Sequence, residues 1–130
     1  MTLQFYVEGK TATKGSTRSF VRGERVVTLA DNASLGAWTQ AARWAARQAG
    51  VGLVAKPRAV KLVVTFMFVK PPSVKHRDCH TVKPDIDKLL RAVLDALTGI
   101  AYEDDAQVTA VDAKKCYGGI EQCVVEVEGA

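Results

Sequence analysis

The alternation of apolar and polar positions divides the chain into strand-like and helix-like stretches. In residues 3–7, Leu3, Phe5 and Val7 alternate with Gln4 and Tyr6, which predicts a short strand. Residues 9–18 follow with no apolar period, and residues 19–28 suit a second short strand or hairpin. Leu35, Trp38, Ala42, Ala45 and Ala49 then recur at helical spacing. They predict a helix over 35–49, preceded by the capping oxygens of Asp31, Asn32 and Ser34 and closed by Gly50. Arg43 and Arg47 form an i,i+4 pair on its other side, and Trp38 and Trp44 read as core residues rather than platforms for stacked bases. Residues 59–69 are β-branched and aromatic, long enough for a central strand, and Lys70-Pro71-Pro72 ends them. Ile86, Leu89, Leu90, Val93, Leu94 and Leu97 line one face of a second helix that runs up to Gly99. Residues 108–116 and 120–127 predict two more strands, with Gly118-Gly119 as a hairpin between them.

This order predicts an α+β fold, a small mixed or antiparallel sheet with two main helices on one face. A length of 130 residues suits a single domain spanning 1–130. The longest apolar run, residues 62–69, is broken by Thr65 and falls far short of the ~20 residues a membrane span needs. The start Met1-Thr2-Leu3-Gln4 lacks the charged and apolar segments of a signal peptide, so no membrane partner is expected. Cys79, Cys116 and Cys123 are an odd number without framework spacing, which points to a reduced, cytosolic compartment.

Charge changes the picture more than composition does. The formal net charge is only +4, yet residues 1–83 carry 14 Lys+Arg against 4 Asp+Glu, and residues 84–130 carry 4 against 10. A basic first two-thirds, net +10, is joined to an acidic last third, net −6. Lys14-Gly15 and Arg18 lie in a polar loop that is either solvated or a phosphate-binding arm. Lys75, Arg77 and Lys83 share a second basic loop, with His76 and His80 read as contacting phosphate or solvent.

That loop leads into Lys83-Pro84-Asp85-Ile86-Asp87-Lys88-Leu89-Leu90-Arg91. Mid-helix, Asp85 and Asp87 would point about 200° apart; at a helix start the first is non-helical and free to converge with the second. An acidic first turn is favoured by roughly 0.3–1 kcal/mol whatever the function, so one carboxylate there needs no further explanation. Asp87, Arg91 and Asp95 follow one another at i,i+4 on the polar face, which suits a solvated ion-pair ladder and places Arg91 one turn beyond Asp87.

Glu103-Asp104-Asp105 is a second acidic group, directly before a strand. An Asp from it facing the Asp-x-Asp start would supply three hard oxygen ligands of the kind Mg²⁺ takes together with water and phosphate. A phosphodiester is repelled by bare carboxylates, so such a site implies a metal. Zinc through His76, Cys79, His80 and Cys116 or Cys123 is disfavoured because no Cys-x-x-Cys exists, and the cysteines read as small hydrophobes. No Walker loop, dinucleotide glycine fingerprint or HExxH is present, and no organic cofactor is expected.

The run from Lys83 through Asp85-Ile86-Asp87 and Asp95-Ala96-Leu97-Thr98-Gly99 to Asp104-Asp105-Ala106-Gln107-Val108 resembles the RusA family of Holliday junction resolvases. The match is good from Lys83 to about Lys115 and loose before it. The resemblance implies a small α+β homodimer in the cytoplasm, of bacterial or phage origin, cutting a four-way DNA junction symmetrically with Mg²⁺ or Mn²⁺. It carries the family's acidic residues to Asp85, Asp87 and Asp105 as metal ligands, and its basic catalytic residue, usually Lys, to Arg91. Lys88 stands where the family often has Asn. On this reading Lys14, Arg18, Lys75, Arg77, Lys83 and Lys88 hold the DNA. Two other readings are a nucleic-acid-binding module that does not cut, and a Mg²⁺-dependent hydrolase of small nucleotides.

Overall fold

The structure, a computed structural model, describes residues 2–13, 19–22, 25–28 and 31–129, with the backbone alone for those between 19 and 34. Lys14 and Arg18 lie outside the described residues. Among the described residues six strands and two α-helices follow in the order β1 (Thr2–Glu8), β2 (Ser19–Arg22), β3 (Arg25–Thr28), α1 (Asp31–Gln48), β4 (Val60–Val69), α2 (Ile86–Leu97), β5 (Val108–Gly118) and β6 (Gln122–Gly129). β2 and β3 form a two-stranded antiparallel ribbon, as residues 19–28 suggested. α1 begins four residues earlier than the capping pattern predicted, since short polar and acidic residues are tolerated in a first helical turn.

The main sheet is mixed, in the order β1-β6-β4-β5. β4 does sit inside it, antiparallel to β6 on one side and parallel to β5 on the other. Its period of two is complete: Val60, Leu62, Val64, Phe66 and Phe68 are buried, and the residues between them are half-buried or exposed. The buried set faces the two helices. From α2 come Leu89, Val93 and Leu97, and from α1 come Trp38, Ala42 and Ala46. Each large apolar side chain removed from water here contributes about 1.5–3 kcal/mol. The expected α+β architecture, a mixed sheet with two helices on one face, is the one observed.

The expected hairpin at Gly118-Gly119 does not form. β4 lies between β5 and β6, and the chain crosses the end of β4 to reach its other side. Four peptide steps from Gly118 to Gln122 reach at most ~14 Å, enough for the ~10 Å of two strand spacings. At this crossing a Cβ on residue 118 would overlap the Met67 side chain, which would have to shift. The apolar β4 takes the interior place, while β5 carries the exposed Thr109, Asp112 and Lys114 suited to an edge.

Two more expectations are corrected. Trp44 is 63% exposed and only Trp38 joins the core. Arg43 is not on the solvent side: its Nη1 donates to the carbonyls of Ala96 and Thr98, both at 3.2 Å, where a cation meets the negative end of α2. Gly99, at φ 84°, then turns the chain out of the helix.

Candidate active site and its surroundings

The approach to α2 is a built strap, fastened to β5 at three places. Register pairs Lys115 with Phe66 and Tyr117 with Phe68, so both point to the helix-bearing face. Arg77 Nε donates to the Tyr117 hydroxyl at 2.9 Å. His80 stacks on Phe68, ring centroids 3.9 Å apart, and meets Tyr117 edge-on at 5.4 Å. Lys115 Nζ donates to the carbonyls of Val82 at 2.7 Å and Pro84 at 2.9 Å.

At the end of the strap, Asp85 stands in the N-cap position with extended backbone, φ −70° and ψ 143°, yet its side chain makes no capping hydrogen bond. Its carboxylate meets the Lys88 ammonium at 3.9 Å. Asp87 follows in the first turn, and both aspartates are exposed. Capping therefore does not account for Asp85. Arg91 is loosely paired with Asp95 at 4.0 Å, and its side chain is 71% exposed.

The second acidic group divides by role. Asp104 is structural: it caps the short turn Asp105–Gln107 by accepting from Ala106 N–H at 2.9 Å. That hydrogen bond, helped by Lys56 at 3.6 Å, holds its carboxyl below the usual carboxylate range. Asp105 is exposed and stands outside this cap. Gln107, 7% exposed, organises the turn with four hydrogen bonds. Its Oε1 accepts from the N–H groups of Glu103 and Asp104, and its Nε2 donates to the carbonyls of Val54 and Arg58.

Asp85 and Asp87 share the start of α2, but Asp105 does not join them within the chain. Among the described residues no three His, Cys, Asp or Glu side chains come together as a metal site. The reason is the direction of α2. Its N-terminus is tied to Lys115, late in β5, whereas Asp105 precedes the first residue of β5. Tyr102, whose hydroxyl donates to the Leu94 carbonyl at 2.8 Å, has its pKa raised by burial and by the nearby Asp105 and Asp95 carboxylates. Along α2 the eight residues from Asp87 to Asp95 span about 12 Å of axis. The donor chemistry still fits Mg²⁺, which takes one or two protein carboxylates and completes its shell with water and phosphate.

Of the expected DNA-binding residues within the described set, Lys75, Lys83 and Lys88 are exposed and Arg77 is half-buried against Tyr117. His80 is a correction: it is 8% exposed and its imidazole is held below its ordinary pKa, first by burial and then by the Lys115 charge. It packs rather than meeting phosphate. Cys123 behaves as a small hydrophobe, its thiol pushed up to about 12 by burial, but Cys79 is exposed. Among the described residues no helix is long and apolar enough to cross a membrane.

Two organisers, Gln107 and Lys115, were not singled out from the sequence. Gln107 stands three residues after Asp104, the spacing of a capping box. Lys115 shares strand parity with Ala113 and Tyr117, which marks it as inward-pointing.

The domain is thus a small mixed sheet with two helices on one face, with a carboxylate pair at the start of α2. The family described as endodeoxyribonuclease RusA matches residues 10–128, nearly the whole chain. The chain belongs to that family, and membership implies the nuclease activity of a Holliday junction resolvase on branched DNA. No curated protein matches the chain.

Proposed function

We propose that residues 1–130 act as one domain of a Mg²⁺-dependent, homodimeric endonuclease, cytoplasmic, which resolves four-way DNA junctions by paired symmetric cuts. The observation that carries this reading is Asp85: a carboxylate at an N-cap position, in extended backbone, that does not cap. Asp104, by contrast, spends its side chain on a cap. Asp85 and Asp87 would hold the ion, Mg²⁺ or Mn²⁺ in its place. A divalent ion bound there supplies an activated water and a positive charge at the leaving oxygen. Arg91 can exchange its loose pair with Asp95 for a phosphate oxygen and so brace the phosphate. Lys14, Arg18, Lys75, Arg77, Lys83 and Lys88 would grip the backbone of the junction.

The separation of Asp105 from Asp85 and Asp87 supports the homodimer. On this reading a second copy brings Asp105 to complete the set, as a four-way junction presents paired cleavage points to a two-fold assembly. Mixing separately inactive Asp87→Asn and Asp105→Asn proteins tests this. Exchanged dimers then hold one intact site and nick the junction, whereas a site built within one chain leaves the mixture dead. Junction binding without nicking under any divalent ion would favour the non-cutting module instead. Cleavage of mononucleotides with no salt-sensitive junction binding would favour the small-nucleotide hydrolase.

A further inference from the structure

Asp85 is clamped from both sides. Its own carbonyl accepts the first helical bond, from Leu89 N–H at 3.1 Å. The carbonyl just before it, on Pro84, is held by Lys115 Nζ at 2.9 Å, and the same ammonium holds Val82 at 2.7 Å. Fixing the Pro84 carbonyl fixes the peptide plane through which Asp85 enters the helix. The carboxylate is left with little more than its own χ rotations. Lys115 is not the partner of the carboxylate itself: the cation within 4.0 Å of Asp85 is Lys88.

We infer that Lys115 is a positioning residue for Asp85, holding the residue before it so that the carboxylate is presented outward and not folded back as a helix cap. The inference rests on the reading of Asp85 as a metal ligand. An ammonium suits the task because it donates several hydrogen bonds and accepts none, so it binds two carbonyls without competing for the ion. The rest of the strap is fastened independently, by Arg77 on Tyr117 and by His80 against Phe68. Loss of Lys115 therefore loosens residues 82–85 while leaving the fold in place.

The test compares wild type, Lys115→Met, Lys115→Arg and, as a control, Lys114→Met, whose side chain is exposed on the same strand. The probe is Mn²⁺ alone, titrated calorimetrically into the full chain, alongside junction affinity in EDTA and amide exchange at Asp85 and Ile86. Groups that orient a metal ligand typically matter ten- to a hundredfold in affinity. Lys115→Met is expected to weaken Mn²⁺ binding by about tenfold or more and to speed exchange at Asp85, with junction affinity within about twofold of wild type. Lys115→Arg should restore part of the loss, and Lys114→Met should bind Mn²⁺ as wild type does. If wild type binds Mn²⁺ and cuts, and Lys115→Met binds it equally well, the positioning role is overturned while the nuclease reading stands. If wild type neither binds Mn²⁺ nor cuts, both fall together.

Discussion

Replacing Gln107 with Leu keeps the volume of the side chain and removes all four of its hydrogen bonds, which lie between 2.9 and 3.0 Å. Two N–H groups and two carbonyls lose their partner at a site where Gln107 itself is 7% exposed. A net hydrogen bond is worth about 1 kcal/mol, and a buried group left unpaired costs about 1–3 kcal/mol. Glu103 is exposed and Asp104 half-buried, so water re-satisfies part of the loss. The expected cost is therefore about 3 kcal/mol, somewhat below the ~4–12 kcal/mol that four fully unpaired groups would sum to. For a domain of this size that lowers Tm by roughly 10 °C. Calorimetric and circular-dichroism melts should agree on the fall. The two carbonyls and the turn are shared by residues 54–58 and 103–107, so cleavage should drop more than junction binding as Asp105 loses its fixed place. A Tm within about 2 °C of wild type would refute the view that Gln107 ties these segments together.

Three further outcomes follow from the same geometry. Lys88→Asn frees Asp85 from its exposed ion pair at 3.9 Å, so the Mg²⁺ concentration for half-maximal cleavage should fall about twofold, the scale of a surface pair. Arg43→Met leaves the Ala96 and Thr98 carbonyls without their cation and should cost about 1–2 kcal/mol in urea unfolding, partly recovered by Lys. His80 is more acidic folded than unfolded, so the unfolded chain binds its proton first; wild type should lose stability as pH falls from about 6.5 toward the lowered folded value. His80→Phe, which keeps the stack on Phe68, should flatten that slope in Tm-versus-pH series, and an unchanged slope would place the titration elsewhere.

The elements were readable where one rule decided them. The alternating burial of β4 and the stripe of Leu89, Val93 and Leu97 on α2 follow directly from periods of two and 3.6. The pairing of strands was not readable in the same way. Gly118-Gly119 has the local chemistry of a hairpin, but which strand lies beside β5 is settled by where the apolar surface of β4 must be buried, a long-range matter. Trp44 shows the limit of composition: helical spacing tells which residues share a face, and Trp44 shares none with Trp38 and Ala42.

At the site, the residue types and the start of α2 were legible; the choice of Asp105 over Asp104 came only with the resemblance, and the structure occupies Asp104 as a cap. Convergence was not, since spacing along a chain carries no information about which end of a helix a later residue reaches. His80 likewise reads as a polar loop residue until the ring contacts with Phe68 and Tyr117 are known.

The most direct measurement is cleavage of a synthetic four-way junction, run beside linear duplex of the same sequence, with Mg²⁺ and with EDTA. Wild type should release paired nicked products from the junction only when Mg²⁺ is present. Asp87→Asn should bind the same junction in gel shifts with unchanged affinity and leave it whole. Equal cutting by wild type and Asp87→Asn, or cutting in EDTA, would contradict a carboxylate-held metal at the start of α2.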